Sequence, residues 1–128
     1  FNLEVDISDK ENYVNVDFNA FKRIYDNLIS NTMKYNQPGV TIYFQITTDK
    51  NYVYLNIGDN GIGVADNIKD TIFDAFVTSN KARTSGKGCG LGMAIVRRLV
   101  ELNDGVIVLK QRKGKWKTHF LIKLKKIS

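Results

Sequence analysis

Two glycine-rich segments, one carboxylate and a stripe of amides are the parts of this chain able to handle a charged ligand. The first segment reads Asp59-Asn60-Gly61-Ile62-Gly63 and follows a β-branched, aromatic run. A carboxylate there can accept a hydrogen bond from an exocyclic amine such as the 6-amino group of adenine. A site built on that bond rejects a base lacking the donor. Gly61 and Gly63 let the backbone pass close to a flat ligand. The plainer alternative is an Asp-Asn-Gly turn.

The second segment, Gly88-Cys89-Gly90-Leu91-Gly92, runs straight into Met93-Ala94-Ile95-Val96. Glycines ahead of a helix start let backbone N–H groups point at phosphates, aided by the helix dipole. Two better-known phosphate motifs do not fit. A P-loop needs Ser or Thr after its Gly-Lys, but Gly86-Lys87 is followed by Gly88. A dinucleotide fingerprint needs a third glycine where Met93 or Ile95 stands.

The amides are Asn27 and Asn31, one helical turn apart and so on one face. Lys34 and Tyr35 extend that face. Two amides and an ammonium suit a polyphosphate with its metal. Mg²⁺ takes few protein oxygens and keeps water and phosphate oxygens in its shell, so a single amide oxygen, that of Asn31, is the expected metal ligand. A solvated helix edge is the alternative. Lys81, Arg83 and Lys87 lie between the two glycine segments, and cations closing over a γ-phosphate would stabilise its transfer. Solvated loop charge explains them equally well. His119, the only histidine, falls mid-strand and reads as structural. Cys89 reads as a small spacer with no histidine near it in sequence.

These residues need elements to hold them. Phe18, Phe21, Ile24, Tyr25, Leu28, Ile29 and Met33 fall at helical spacing. Asp17 is the expected N-cap and Pro38-Gly39 the stop. Phe1 to Ile7 and Tyr13 to Val16 read as strands. Val40 to Thr48 and Tyr52 to Gly58 read as a hairpin. A short helix is expected near Asp66 to Lys69. Residues 77–90 read as a long, lid-like loop, rooted in the core by Phe73 and Phe76. Leu91 to Leu102 is helical, with Gly105 as its stop. Gly105 to Gln111 and Thr118 to Lys125 form a second hairpin across Arg112-Lys113-Gly114-Lys115. The pattern predicts an α/β two-layer sandwich: a mixed, mostly antiparallel sheet of about five strands with about three helices on one face.

Composition sets the outer bounds. At 128 residues, 43% hydrophobic and 25% charged, the chain reads as one soluble globular domain, residues 1–128. No apolar run is long enough to span a membrane, and no secretory pattern is present. A start at Phe1 suggests a piece of a longer protein. One cysteine allows no internal disulfide, which fits a reducing compartment. The net charge of +6 is local: residues 105–128 hold eight of the 19 Lys and Arg and none of the 13 acids, leaving 11 bases against 13 acids elsewhere. Such a cluster is one footprint of nucleic-acid binding. However, Lys110, Arg112, Lys123 and Lys125 recur at strand-like alternation and are assigned to the wet face of a sheet, so no nucleic-acid partner is expected.

Taken together, the segments resemble those of bacterial sensor histidine kinases. Asn27-Leu28-Ile29-Ser30-Asn31-Thr32-Met33-Lys34-Tyr35 resembles their N box. Asp59 to Gly63 is similar to their first glycine box, Ile72-Phe73-Asp74-Ala75-Phe76 to their F box, and Gly88 to Val96 to their second glycine box. Order and spacing also agree, and essentially the whole chain is covered. The resemblance implies the Bergerat ATP-binding fold of the wider superfamily that includes gyrases and heat-shock chaperones. It implies Mg²⁺–ATP, with Asn31 on the metal and Lys34 and Tyr35 near phosphates or ribose. Asp59 would hold the adenine amine, and Gly88, Gly90, Leu91 and Gly92 would line the phosphates. Asn27, Gly61, Gly63, Phe76, Lys87 and Thr118 complete the expected nucleotide contacts. Asn31, Lys81 and Arg83 are the expected catalytic residues. Thr78 stands where many relatives carry Arg, and Lys81 or Arg83 is expected to supply that charge. Thr32 and Met33 stand where smaller or apolar residues are usual, a change expected to affect packing alone.

The resemblance further implies phosphoryl transfer to a histidine on an upstream dimerisation domain absent from this chain, then to an aspartate of a response regulator. The fragment would be a cytoplasmic monomer from a membrane-anchored, dimeric parent. Hydrolases of the superfamily carry Glu one turn before the metal Asn, where this chain has Asn27, so brisk hydrolysis is not expected. A serine kinase of the anti-sigma type and a non-catalytic nucleotide-binding module are the remaining rivals.

Overall fold

Ala20, Ile24, Leu28 and Thr32 recur every fourth residue, and this spacing puts them on the buried stripe of α1, Phe18–Tyr35. The computed structural model describes residues 1–7, 18–74 and 92–126. The expected strand at Tyr13 to Val16, the Asp17 cap and the 77–90 loop fall outside these residues. So do Phe76, Lys81, Arg83, Lys87, Gly88, Cys89, Gly90 and Leu91.

Among the described residues five strands form one sheet: β1, Asn2–Ile7; β2, Thr41–Thr48; β3, Tyr52–Asp59; β4, Val106–Leu109; and β5, Thr118–Lys125. Their order is β1-β2-β3-β5-β4. β1 runs parallel to β2 and every other pairing is antiparallel. The expected mixed, mostly antiparallel sheet is therefore what forms. Alternation decides its faces. Phe44, Leu55, Ile57, Phe120, Ile122 and Ile107 point to one side and are buried there. The second helix, α2, Gly92–Leu102, buries Met93, Val96, Leu99 and Val100. It packs beside α1 and over β4 and β5. A 3₁₀ turn over Asp66–Thr71 follows β3. Phe73 sets its ring edge-on to Phe120 at 6.0 Å and packs against the core.

Three local expectations need correction. α2 is stopped by Asp104, which takes the left-handed conformation (φ 57°), rather than by Gly105. Gly105 is needed for space, since a Cβ there would collide with the Lys123 carbonyl oxygen. β4 ends at Leu109, though Lys110 N still donates to His119 O at 2.7 Å. Arg112 is not on a sheet face at all. It lies in the β4–β5 connection, and its guanidinium reaches the first glycine loop.

The opposite face of the sheet is polar and aromatic. His119 stacks on Trp116 at 4.1 Å, and its Nε2 lies 2.7 Å from Asn56 Oδ1. Burial lowers its pKa, with Lys110 adding to the effect. Its ring is packed within the sheet surface, where burial disfavours the charged form.

Candidate functional site

β3 ends in Gly58 and Asp59, and both are buried. Asp59 is only 1% exposed, the deepest acid among the described residues. Alternation along β3 points it to the helix side, beneath the last turn of α1. Its carboxylate accepts two hydrogen bonds from the described residues. Gly61 N donates to Oδ1 at 2.9 Å and Thr32 Oγ1 donates to Oδ2 at 3.3 Å. Thr118 stands directly across the ladder from Asp59, and Lys117 N donates to the Asp59 carbonyl at 2.9 Å. No Lys or Arg among the described residues pairs with this carboxylate. Burial therefore dominates, and the Asp59 pKa is raised from its ordinary value although Gly61, Thr32 and the nearby Thr118 hydroxyl pull it down.

A carboxylate offers about four lone-pair positions. With two occupied by the described residues, Asp59 retains capacity for a further donor. With no cation beside it among the described residues, the group suits the amine of a neutral heterocycle.

The loop after Asp59 is braced by three elements. Asn60 and Thr41 exchange two bonds: Asn60 N donates to Thr41 O, and Thr41 N to Asn60 Oδ1. Ile62 N donates to Asn36 Oδ1 at 2.9 Å. Arg112 Nη2 donates to the carbonyls of Ile62 and Val64 at 3.3 and 3.4 Å. Gly63 has φ 78° and would strike Arg112 with a Cβ. The role foreseen for Gly61 and Gly63 as points of close approach is thus met by protein groups on one side of the loop.

Asn27 and Asn31 are both half-buried on α1. Asn27 Nδ2 donates to the Arg23 carbonyl at 2.7 Å. Its Oδ1 stands 3.8 Å from where a Cβ of Gly92 would lie. The structure therefore brings Asn27 to the N-terminus of α2, where the second glycine segment ends. Asn31, one turn on, has no side-chain hydrogen bond to the described residues, and its amide oxygen is the kind of hard donor Mg²⁺ accepts. Among the described residues no group of three His, Cys, Asp or Glu gathers to hold a metal. Lys34 is exposed in the last turn of α1, and Tyr35 is half-buried beside it.

Two residues of the site escaped the sequence reading. Thr32 was expected to affect packing alone, yet its hydroxyl bonds Asp59. The signal was available: a hydroxyl on an apolar i, i+4 stripe needs a buried partner. Asn36 carried no comparable signal.

Comparison with known proteins gives the family and the fold. The family described as histidine kinase-, DNA gyrase B- and HSP90-like ATPases matches residues 16–127. The sensor histidine kinase WalK of Bacillus subtilis is 33% identical over 115 residues, covering 88% of this chain and 19% of WalK. The sensor protein GtcS of Aneurinibacillus migulanus is 38% identical over 93 residues, covering 73% of this chain and 25% of GtcS. The chain thus spans a quarter or less of either relative. The solved mycobacterial sensor histidine kinase MprB superposes with a TM-score of 0.79 at 26% identity, covering 98% of this chain and 83% of that one. The catalytic domain of histidine kinase ThkA shares the fold, with a TM-score of 0.80 at 20% identity over 98% of this chain and 80% of its own.

Proposed function

We propose that this chain, which belongs to the family of histidine kinase-, DNA gyrase B- and HSP90-like ATPases, binds Mg²⁺–ATP and donates its γ-phosphoryl group to a histidine on a separate domain. WalK and MprB are sensor histidine kinases, and the fold here is that of histidine kinase catalytic domains. The observation that carries the reading is Asp59: buried, bonded by two neutral donors among the described residues, and able to accept a further one.

In this reading Asp59 accepts the adenine 6-amino group, with Thr118, Gly61 and Gly63 around the base. Asn27, Gly92 and the preceding Gly88, Gly90 and Leu91 surround the phosphates, Lys34 and Tyr35 lie near the phosphates or ribose, and Phe76 and Lys87 complete the contacts. Asn31 would hold Mg²⁺, which when bound neutralises phosphate charge. A neutral imidazole nitrogen attacks the γ-phosphorus in line, the bond to the bridging oxygen breaks, and ADP leaves. Lys81 and Arg83 meet the charge that develops. Positioning and charge neutralisation supply the acceleration.

Hydrolysis is a poor competitor because, among the described residues, no base stands one turn before Asn31, where water would need one. Asn27 is an amide, and Asp26 is exposed and paired with Lys22 at 2.9 Å. The acceptor histidine belongs to an upstream dimerisation domain of a dimeric, membrane-anchored parent, with this domain on the cytoplasmic side as a monomer. A response regulator then takes the phosphoryl group. None of the described helices is long and apolar enough to cross a membrane.

The test is reconstitution. This domain, Mg²⁺ and γ-labelled ATP are mixed with the separately expressed upstream segment of the parent. Acid-labile label on that segment, lost in Asp59→Asn, is the expected result. Nucleotide binding without label would redirect the reading towards a serine-directed or inactive relative, and label on His119 would overturn the need for a separate acceptor.

A further inference from the structure

Four hydrogen bonds close a ring between α1 and the first glycine loop. Thr32 Oγ1 donates to Asp59 Oδ2 at 3.3 Å, and Asp59 Oδ1 accepts from Gly61 N at 2.9 Å. The next amide, Ile62 N, donates to Asn36 Oδ1 at 2.9 Å. Asn36 Nδ2 then donates to the Thr32 carbonyl at 3.0 Å, returning to the residue where the ring began.

Asn36 is just past the end of α1 and half-buried. Both ends of its amide are committed, and in opposite senses: oxygen to an N–H, nitrogen to a carbonyl. Only one orientation of the amide satisfies both partners. The ring also dictates Gly61. Its φ is not in the left-handed region, so conformation does not demand glycine there. Space does: a Cβ at Gly61 would overlap Asn36 Oδ1 and stand 3.0 Å from Asp59 Oδ1. From the other side, Arg112 grips the Ile62 carbonyl. The two ends of one residue's backbone are thus held by side chains from opposite ends of the chain.

We infer that Asn36 is a positioning residue for base selection: by holding the Ile62 N–H it fixes the Gly61 amide, and so the orientation in which the Asp59 carboxylate meets a purine. The inference rests on the proposed nucleotide reading. A carboxylate fixed in orientation discriminates a 6-amino purine from a 6-oxo purine by the missing donor. One that can turn finds water or another donor and discriminates less.

Equilibrium binding of Mg²⁺–ATP and Mg²⁺–GTP tests this on the parent chain, Asp59→Asn, Asn36→Ala and Asn36→Asp, with amide hydrogen exchange read at Ile62. Asn36→Ala is expected to weaken ATP binding by about tenfold, the scale of one hydrogen bond in a binding site. GTP binding weakens less, so the ATP:GTP ratio narrows. Exchange at Ile62 speeds up while Leu55 and Ile122 in the core stay protected. Asn36→Asp keeps the acceptor for Ile62 N and is expected to restore protection there and part of the ratio. An unchanged ratio in Asn36→Ala, or equal weakening of both nucleotides, overturns the inference. If Asn36→Ala loses core protection, Asn36→Ser carries the same test, because its side chain is too short to span both partners. The nucleotide reading fails separately: it falls if Asp59→Asn binds ATP as the parent does. If Asp59→Asn loses ATP and the Asn36 variants keep the ratio, only the role of Asn36 falls.

Discussion

Thr32 and Asp59 lie 27 residues apart in the chain and share a hydrogen bond beneath the last turn of α1, Oγ1 to Oδ2 at 3.3 Å. They are the two buried polar side chains of the described structure. Each would be costly alone. Paired, and joined by Gly61 N and Thr118, they make a polar island at the rim of an apolar core. α1 thereby carries its core stripe of Ala20, Ile24 and Leu28 directly into the site.

The raised pKa of Asp59 makes a stability prediction. A carboxyl with a raised pKa binds its proton more tightly in the fold than in the unfolded chain. Its contribution is full below the unfolded pKa and is lost as pH rises through the folded value. Asp59's share of the ligand-free domain's stability should therefore be lost as pH climbs from the acid range through that value. It is read as the difference between the parent and Asp59→Asn, since Asp49 and Asp66, with lowered pKa values, act in the opposite sense. Asp59→Asn removes the buried charge at pH 7, so the variant is expected to melt no lower than the parent while failing to bind ATP. Calorimetry with and without nucleotide checks both parts, and a clearly lower melting temperature for the ligand-free variant would contradict the burial account.

Gly58 makes a packing prediction. It stands on the open face of β3 against β5, where a Cβ would collide with the Thr118 carbonyl and lie 2.9 Å from Trp116 Cε3. A backbone atom of a central ladder cannot move aside cheaply. Gly58→Ala is expected to cost about 1–3 kcal/mol, the usual range for overpacking, and to weaken ATP binding because Thr118 and Asp59 shift with it. Urea unfolding and nucleotide titration of the same sample would show the two losses together.

The end of α2 offers a gain. Asp104 holds φ 57°, a conformation that glycine adopts without penalty. Asp104→Gly should stabilise the domain by up to about 1 kcal/mol. Gly105→Ala should destabilise it, since Gly105 lies against the Lys123 carbonyl. Opposite signs at adjacent positions, read by thermal melting, separate conformation from space. Loss of stability in Asp104→Gly would remove the argument.

How much of this was legible in the sequence depended on whether the signal was periodic. α1, α2 and both hairpins announce themselves through apolar spacing and β-branched runs, and the five-strand mixed sheet follows from them. Asp59 was legible because a carboxylate ending a strong strand suits a ligand, and it proved to be the buried carboxylate expected. Arg112 was misread because its spacing from Lys110 mimics strand alternation, while the chain has already left β4 at Leu109. Asn36 was invisible: an amide just past a helix end carries no pattern, and its two partners lie 4 and 26 residues away. Gly105 was credited with a turn because glycine usually takes it, but three dimensions were needed to see the carbonyl beside it.

Asn27 gives the sharpest functional prediction. Its amide nitrogen is tied to the Arg23 carbonyl, and its oxygen faces the start of α2 at Gly92. The neighbouring acid, Asp26, is turned to solvent and bridged to Lys22. The position one turn before Asn31 thus holds a polar group with no basicity. Asn27→Glu places a carboxylate there, within one turn of the proposed metal ligand, and supplies the missing base for water. ATP hydrolysis by the isolated domain is expected to rise on the order of 10²-fold, the lower range for a positioned general base. Asn27→Gln, which changes length but not basicity, should give no rise. Phosphate release measured at saturating ATP is the readout, with nucleotide affinity checked in parallel. A variant that binds ATP normally yet hydrolyses no faster would mean that water, rather than the base, is excluded from the γ-phosphate.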